Sequence, residues 1–311
     1  NNGGGALEDA RQMSGLFIEK GPIVQIKNHQ GKVDVLRDTD SNVEYDGPLV
    51  VMTNRFSASA SEILAGAMQD YDRAVVVGGE HTHGKGTVQA VLNLDRNPIA
   101  NIFSDVKFGA LKVTIQKFYR VTGASTQFRG ITPDIVLPDP LGYTESREQV
   151  LEHALPWDKV DSLAYKPWKK SDYDMGLLEK RSKKRIKRDD RFEKIRQSVG
   201  YFKKQRKQTL VKVDLKARQK QEELNQKKNE EYKLDEKNKK IQVSHFEESL
   251  RDNSKIRKED MEHWKEDMKQ RSKEWVSEIQ KDPALEEVLY IVDDMVKINE
   301  GKKLQMVTHS D

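Results

Sequence analysis

The amino-acid sequence predicts an α/β domain followed by a mainly α-helical domain. Up to about residue 140 the chain carries valine- and isoleucine-rich runs separated by glycine, whereas lysine, arginine, glutamate and glutamine dominate from about residue 165. Within the first part, a strand, a helix and a strand follow one another at the spacing of a βαβ unit, whose strands pair in parallel. The length of 311 residues suits two domains. We expect a first domain at 1–140, a linker at 141–170 and a charged helical domain at 171–311.

Each element of the first domain has its own sequence signal. Runs at 22–27 and 32–36 predict two strands joined by the turn His29-Gln30-Gly31. The apolar run at 49–53 predicts a third strand. A helix is predicted at 60–71 because its apolar side chains form one stripe, which consists of Ile63, Leu64, Ala67, Met68 and Tyr71. Further strands are predicted at 73–78, 88–94 and 109–121, and a closing segment at 131–138. Residues 95–107 are predicted to form a loop on the side of the domain that carries the candidate active site described below.

The second domain is predicted to be helical because strand formers are few and apolar residues recur three or four positions apart. Helices are predicted near 172–199, 203–240, 244–279 and 283–299. Residues 171–240 contain 24 lysines and arginines against 13 aspartates and glutamates, a local charge of +11 in a chain of total charge +4. Such a surface can bind nucleic acid, an anionic membrane or an acidic partner. Because aromatic residues are sparse and acidic residues are interspersed, we favour solvated helices over a nucleic-acid binder.

Composition excludes some classes of site. The chain has no cysteine, so neither disulfides nor cysteine-based zinc sites can form. No run approaches the roughly 20 apolar residues that span a bilayer. No basic and then apolar leader opens the chain, which begins at Asn1-Asn2-Gly3-Gly4-Gly5, and we expect that an N-terminal part with its leader precedes this start.

Two short segments carry the candidate chemistry. The strand at 49–53 leads into Ser57-Ala58-Ser59-Ala60-Ser61, at a strand-to-helix turn whose N–H groups can stabilise an oxyanion. Lys85 lies between two glycines at the start of a strand, with Gln89 four residues later. A serine hydroxyl becomes nucleophilic when a base takes its proton, and a lysine serves as that base when it is neutral. The amide of Gln89 could orient the amine without adding a charge.

Each of these residues also has an interpretation without catalysis. Ser59 and Glu62 fit a capping box at a helix N-terminus, although Ser57 and Ser61 are better capping candidates. Lys85 alone would be an ordinary surface lysine in a glycine turn. His81 and His83 could form a metal pair on a strand edge, but no third ligand is evident, and we expect no metal and no cofactor.

Together these motifs resemble the tail-specific, or carboxy-terminal processing, proteases. The resemblance covers residues 1 to about 138 and rests on Asn-Asn-Gly-Gly-Gly, Asn-Arg-Phe-Ser-Ala-Ser-Ala-Ser-Glu-Ile, Ala-Met-Gln-Asp-Tyr, Gly-Lys-Gly-Thr-Val-Gln and Arg-Gly-Ile-Thr-Pro-Asp-Ile. Ala154-Leu155-Pro156-Trp157-Asp158 and the charged helical tail are similar to the C-terminal extension of the long bacterial members. The resemblance implies a crotonase-like protease core of the α/β class.

The resemblance also implies roles for individual residues. Ser59 would be the nucleophile, Lys85 the general base and Gln89 the residue that positions the lysine. The oxyanion hole would consist of the N–H of Ala60 and an N–H from Gly4 or Gly5. Asp70 matches a family aspartate, to which we assign a structural role near the helix end. The stretch from Gly78 to Gly84 is one residue longer than in the family pattern.

The implied function is that of a serine endopeptidase acting on proteins recognised by apolar C-terminal tails, in the periplasm of a Gram-negative bacterium. Family members carry a PDZ domain before the nucleophile, and we expect that this chain lacks it, which leaves its activity in isolation open. The same resemblance implies that an adaptor lipoprotein could bind the protein and that the protein could associate peripherally with a membrane. It leaves the oligomeric state open. Two alternatives are a non-catalytic scaffold, whose helical domain docks an adaptor or partner subunit, and a basic nucleic-acid binder.

Overall fold

A computed structural model describes residues 1–96, 108–168, 173–210, 213–233, 241–243 and 258–308. The predicted loop at 95–107 lies almost entirely outside these residues. The chain forms two compact units, one comprising Asn1–Lys180 with Val292–Asp311 and the other Arg181–Ile291. The domain boundaries expected from composition stay a prediction.

The described part of residues 1–168 contains helices, strands and short 3₁₀ turns. In chain order its elements are α1 (Leu7–Gly15), β1 (Gly21–Asn28), β2 (Val33–Asp38), β3 (Val50–Thr53), α2 (Ala60–Asp70), β4 (Val75–Gly78), β5 (Thr87–Asn93), β6 (Ala110–Tyr119) and β7 (Ile135–Val136). The 3₁₀ turns lie at Leu94–Arg96 and Glu148–Val150. The sequence did not predict α1, and β7 is shorter than the expected segment because Pro133 and Pro138 flank it.

The strands form two sheets, and the one that leads into the site is parallel. It has the order β3-β4-β7, with β3 paired in parallel to β4 and β4 in parallel to β7. The other sheet has the order β2-β1-β6-β5 and is antiparallel throughout. The predicted βαβ unit is confirmed as β3-α2-β4, and the α/β class is confirmed with it.

Helix α2 carries much of the apolar core of this unit. Ile63, Ala67 and Met68 are buried on one face and belong to a cluster that also contains residues of α1, β1 and β6. Tyr71 follows the helix and donates its hydroxyl to the carbonyl oxygen of Pro22 at 2.9 Å. The predicted apolar stripe therefore fixes the rotation of α2, and with it the direction in which its N-terminus points.

Arg73 anchors the connection between α2 and β4. Its side chain is fully buried and donates to the carbonyl oxygens of Phe17 at 2.8 Å, Gly47 at 3.0 Å and Tyr45 at 2.7 Å. The guanidinium also lies over the ring of Trp168. These carbonyl acceptors compensate the cost of burying the charge.

The C-terminal helices are α3 (Met175–Arg188), α4 (Asp190–Lys207), α5 (Leu215–Tyr232), α6 (Lys258–Lys281) and α7 (Pro283–Thr308). The helix predicted at 172–199 is thus two helices. The break lies at Asp189, whose carboxylate caps α4 by accepting from the N–H of Arg191 at 2.9 Å. None of the helices in the described part of the chain is long and apolar enough to cross a bilayer.

The close approach of β3 and β4 generates a stability prediction. A Cβ added at Gly78 would lie 1.9 Å from the carbonyl oxygen of Thr53, its partner in the parallel ladder. We expect Gly78→Ala to lower the free energy of unfolding by about 3 kcal/mol, because the strands must separate. The matched change Gly200→Ala places a Cβ in open space on α4 and should raise it by about 0.5–1 kcal/mol. Urea unfolding measures both, and equal effects would contradict the packing argument.

Candidate active site

Ser59 occupies the turn between β3 and α2 in a strained backbone conformation. Its φ of 58° and ψ of −118° fall outside the regions that residues with a side chain usually adopt. Ser59 is the N-cap of α2, and its carbonyl oxygen accepts from the N–H groups of Glu62 at 2.8 Å and Ile63 at 3.0 Å. Ala60 is the first helical residue, so its N–H belongs to the helix donors that have no intrahelical acceptor. The turn therefore sets the Ser59 side chain beside such a donor.

The N-terminal glycines pack directly against this turn. The carbonyl oxygen of Asn2 accepts from the N–H of Ala58 at 3.0 Å. A Cβ added at Gly4 would lie 2.6 Å from the carbonyl oxygen of Ala58 and 2.9 Å from the nitrogen of Ala60, so only glycine fits there. The N–H of Gly4 donates to Asn2 Oδ1 at 3.0 Å, whereas Gly5 lines the pocket. Of the two glycines predicted for an oxyanion hole, Gly5 is thus the better candidate.

Lys85 is held by a loop that needs both neighbouring glycines. Gly84 has a φ of +86° and an added Cβ there would lie 2.9 Å from backbone of Phe128, while a Cβ on Gly86 would lie 2.7 Å from the nitrogen of Gln127. The Lys85 side chain is half-buried, and its Nζ donates to Gln89 Oε1 at 3.1 Å. This contact joins the predicted base to the residue predicted to orient it.

The carboxylate of Glu62 joins the serine turn to the lysine loop. The residue is completely buried. Its Oε2 accepts from the N–H of Ser59 at 2.8 Å and from the N–H of Lys85 at 3.0 Å. Its Oε1 accepts from the N–H of Gly84 at 2.7 Å and from the hydroxyl of Thr82. One side chain thereby fixes both halves of the site.

The sequence pattern predicts Glu62 only as a capping partner of Ser59. The carboxylate half of that capping box is present, but the same carboxylate also reaches a loop more than 20 residues away. A signal was available, since Glu62 is the only charged residue in the stretch 56–69. Burying a charged side chain without partners is costly, so a single charged residue on a buried helix indicates that specific hydrogen-bond donors or an opposite charge lie next to it.

Burial sets the acid-base behaviour of Glu62. It raises the pKa of the carboxyl from 4.5 to about 7, and the hydrogen bonds from Thr82, Gly84, Ser59 and Lys85 act in the opposite direction. The hydroxyl of Thr82 also accepts from the N–H of Ile131 at 2.7 Å, which extends the network to the segment before β7.

The loop with the extra residue is anchored at several points. The N–H of His83 donates to the carbonyl oxygen of Ser57 at 2.9 Å, and its ring Nε2 lies 3.1 Å from Glu148 Oε2. His81 is buried with Nδ1 2.7 Å from the carbonyl oxygen of Thr82. Within the described residues, no three or more histidine or acidic side chains converge in a way that could hold a metal. The longer loop is compatible with Lys85 reaching the same pocket as Ser59.

A pocket of about 330 Å³ brings the predicted catalytic groups together. Ser59, Lys85 and Gln89 line it, with Gly5 and Ala60 beside the serine. Apolar side chains form other parts of its wall, namely Leu7, Ile63, Val88 and Phe118. A hydroxyl, an amine and helix N–H donors next to an apolar wall are the groups that acyl transfer requires.

Asp70 lies at the other end of α2 and outside this pocket. Its Oδ2 accepts from Arg120 Nε at 3.0 Å, and its Oδ1 lies 2.5 Å from Arg120 Nη2. Burial raises the pKa of Asp70, which the contacts with Arg120 partly offset. The pair attaches the C-terminal end of α2 to the segment that follows β6.

Comparison with protein families matches both parts of the chain. Residues 1–137 match Peptidase family S41, and residues 141–297 match the C-terminal domain of tail specific protease.

Individual proteins are similar to parts of the chain. The chain is 38% identical over 226 residues to a tail-specific protease of Haemophilus influenzae, an alignment that covers 70% of this chain and 31% of that protein. It is 39% identical over 142 residues to a carboxy-terminal-processing protease of Bartonella bacilliformis, an alignment that covers 45% of this chain and 30% of that protein. Among solved structures, a photosystem II D1 C-terminal processing protease is 32% identical with a TM-score of 0.37, covering 44% of this chain and 32% of that one. The chain thus spans about a third of the length of the curated relatives.

The buried carboxylate generates a prediction for stability. We expect Glu62→Gln to lower the free energy of unfolding by about 3 kcal/mol at acid pH, because its amide nitrogen would face a backbone N–H. The difference from the wild type should largely disappear at alkaline pH, where the wild type itself has lost stability. Burial raises the pKa of the Glu62 carboxyl from 4.5 to about 7. Between pH 4.5 and pH 7 the native state therefore keeps a proton on this group that the unfolded chain has lost. This group therefore makes the wild type less stable as the pH rises through that window, by about 3 kcal/mol in total.

The measurement is urea unfolding of the wild type, Glu62→Gln and the exposed control Glu19→Gln across that pH range. The control should follow the wild type, and Glu62→Gln should lack the slope that Glu62 contributes. The same pH dependence in all three proteins would show that Glu62 does not titrate in this way.

Proposed function

We propose that this chain, which belongs to the tail-specific proteases of peptidase family S41, forms the catalytic centre of a serine endopeptidase. The observation that supports this most directly is the pocket shared by Ser59, Lys85 and Gln89, with Lys85 Nζ 3.1 Å from Gln89 Oε1. The substrates are proteins recognised by apolar C-terminal tails, and the compartment is the bacterial periplasm. These two statements follow from the family resemblance.

In the proposed first half-reaction, Ser59 Oγ attacks the carbonyl carbon of the scissile peptide bond. Neutral Lys85 Nζ accepts the hydroxyl proton, and the carbonyl oxygen becomes an oxyanion. The N–H of Ala60 and the N–H of Gly5 donate to that oxyanion, since both residues border the serine. The lysine ammonium then protonates the leaving amine as the C–N bond breaks, leaving an ester on Ser59.

In the second half-reaction, the same lysine activates a water. Lys85 Nζ takes a proton from the water as its oxygen attacks the ester carbon, and a second oxyanion occupies the same N–H donors. The ammonium returns a proton to Ser59 Oγ when the ester bond breaks, and the carboxylic acid product leaves. Gln89 orients the amine in both steps through its amide oxygen. Because an amide carries no net charge, it does not stabilise the ammonium form of the lysine as a carboxylate would.

The strain at Ser59 fits this mechanism. Its positive φ departs from the backbone of a regular helix start, directly before Ala60, whose N–H is proposed for the oxyanion hole. The contacts of Glu62 and Gly4 hold that conformation, so the geometry exists before substrate binds.

We expect a serine-reactive phosphonate to label the wild type on Ser59, and Ser59→Ala to abolish the labelling. Lys85→Met keeps the apolar stem and removes the amine, so it should lower the labelling rate and peptide cleavage about 10²–10⁴-fold. Mass spectrometry of the labelled protein and hydrolysis of a peptide with an apolar C-terminus are the measurements.

The control is Lys20→Met, which removes an exposed lysine outside the pocket and should leave both rates unchanged. Wild-type rates in folded Lys85→Met would refute the lysine base. Failure of the wild type to label would instead favour the scaffold function.

A further inference from the structure

Lys112 is a second lysine in the lining of the pocket that contains Ser59 and Lys85. It lies on β6, where it pairs with Val91 of β5, while Gln89 pairs with Thr114. Paired residues of adjacent strands lie on one face, and so do residues two apart in a strand. Lys112 therefore shares the face of Gln89, about 7 Å further along the sheet.

The ionisable side chains that line the pocket are lysines. Of the residues that line it, Lys85 and Lys112 carry ionisable side chains, and no carboxylate among the described residues lies on its wall. The nearby carboxylate of Glu62 faces backbone N–H groups behind the turn. The two lysines differ in their surroundings, since Lys85 is half-buried and donates to Gln89, whereas Lys112 is exposed.

The position of Lys112 suits contact with a bound peptide. Strand β5 is an edge strand of the described four-stranded sheet. An extended peptide advances about 3.3 Å per residue, so a step of about 7 Å corresponds to two residues. Gln89 contacts the proposed base Lys85. A peptide with its scissile carbonyl at Ser59 that runs along this face would therefore reach Lys112 about two residues after it passes Gln89.

We infer that Lys112 is a specificity-determining residue that selects peptides with a carboxylate within about two residues of the scissile bond. This inference rests on the proposed function, because it assumes that the pocket binds peptides. The carboxylate can belong to an aspartate or glutamate side chain or to the C-terminus of the peptide. Both present the same charge to the ammonium.

The exposure of Lys112 limits the size of the effect. An exposed ion pair contributes modestly and is screened by salt. We expect a three- to tenfold preference for the carboxylate peptide at low salt, which largely disappears at about 1 M salt.

The test measures equilibrium binding to Ser59→Ala protein, so that it does not depend on turnover. One peptide series carries Glu, Gln or Lys at each of the two positions on either side of the scissile bond. A second series ends in a free carboxylate or an amide at the same distance. Fluorescence anisotropy is recorded for proteins that carry Ser59→Ala alone or together with Lys112→Glu, Lys112→Gln or Lys20→Glu. Lys20→Glu makes the same charge change as Lys112→Glu at an exposed residue outside the pocket.

We expect Ser59→Ala protein to bind the Glu peptide, the free-acid peptide or both more tightly than their neutral counterparts, and the series that responds identifies the carboxylate source. Lys112→Gln should abolish the preference, Lys112→Glu should reverse it towards Lys, and Lys20→Glu should retain it. Equal binding of charged and neutral peptides, or an unchanged preference in both Lys112 variants, would overturn the inference while leaving Ser59 cleavage intact. Loss of phosphonate labelling in the wild type would refute the proposed function separately.

Discussion

The buried carboxylate of Glu62 is the contact on which the geometry of the site depends. It accepts hydrogen bonds from the N–H groups of Ser59, Gly84 and Lys85 and from the hydroxyl of Thr82. Each donor belongs to a segment that would otherwise leave a polar group buried without an acceptor. Because both carboxylate oxygens accept hydrogen bonds, the serine turn and the lysine loop are held to one side chain. A shift of either segment relative to the other would break hydrogen bonds to Glu62.

The fold supplies the rigid frame for this contact. The parallel pair β3 and β4 delivers the serine turn and the lysine loop to the same edge of a sheet, and Gly78 permits the close approach of the two strands. The apolar face of α2 fixes the helix against the core, so Glu62 points towards the loop after β4. The cost of burying the carboxylate and of straining Ser59 is therefore borne by well-packed structure.

Local patterns in the sequence were sufficient to predict β3, α2 and β4, since each has a clear apolar period and the connections are short. Contacts between distant segments could not be read in this way. The reach of Glu62 to Gly84 and the hydrogen bond from the N–H of Ala58 to the carbonyl oxygen of Asn2 depend on tertiary structure. Helix α1 was missed because its apolar residues are few. The place of Lys112 on the pocket wall depends on a register shift in the β5-β6 ladder that no sequence pattern revealed.

Glu62→Asp tests the central role of this carboxylate most directly, because it keeps the charge and shortens the side chain by one methylene. The measurement is the rate at which a serine-reactive phosphonate labels Ser59 in the wild type and in Glu62→Asp, with unfolding curves to establish that both are folded. A shortened carboxylate cannot reach both loops at hydrogen-bond distance, so we predict a loss of about 100-fold or more in labelling rate. Labelling of folded Glu62→Asp at the wild-type rate would contradict the account.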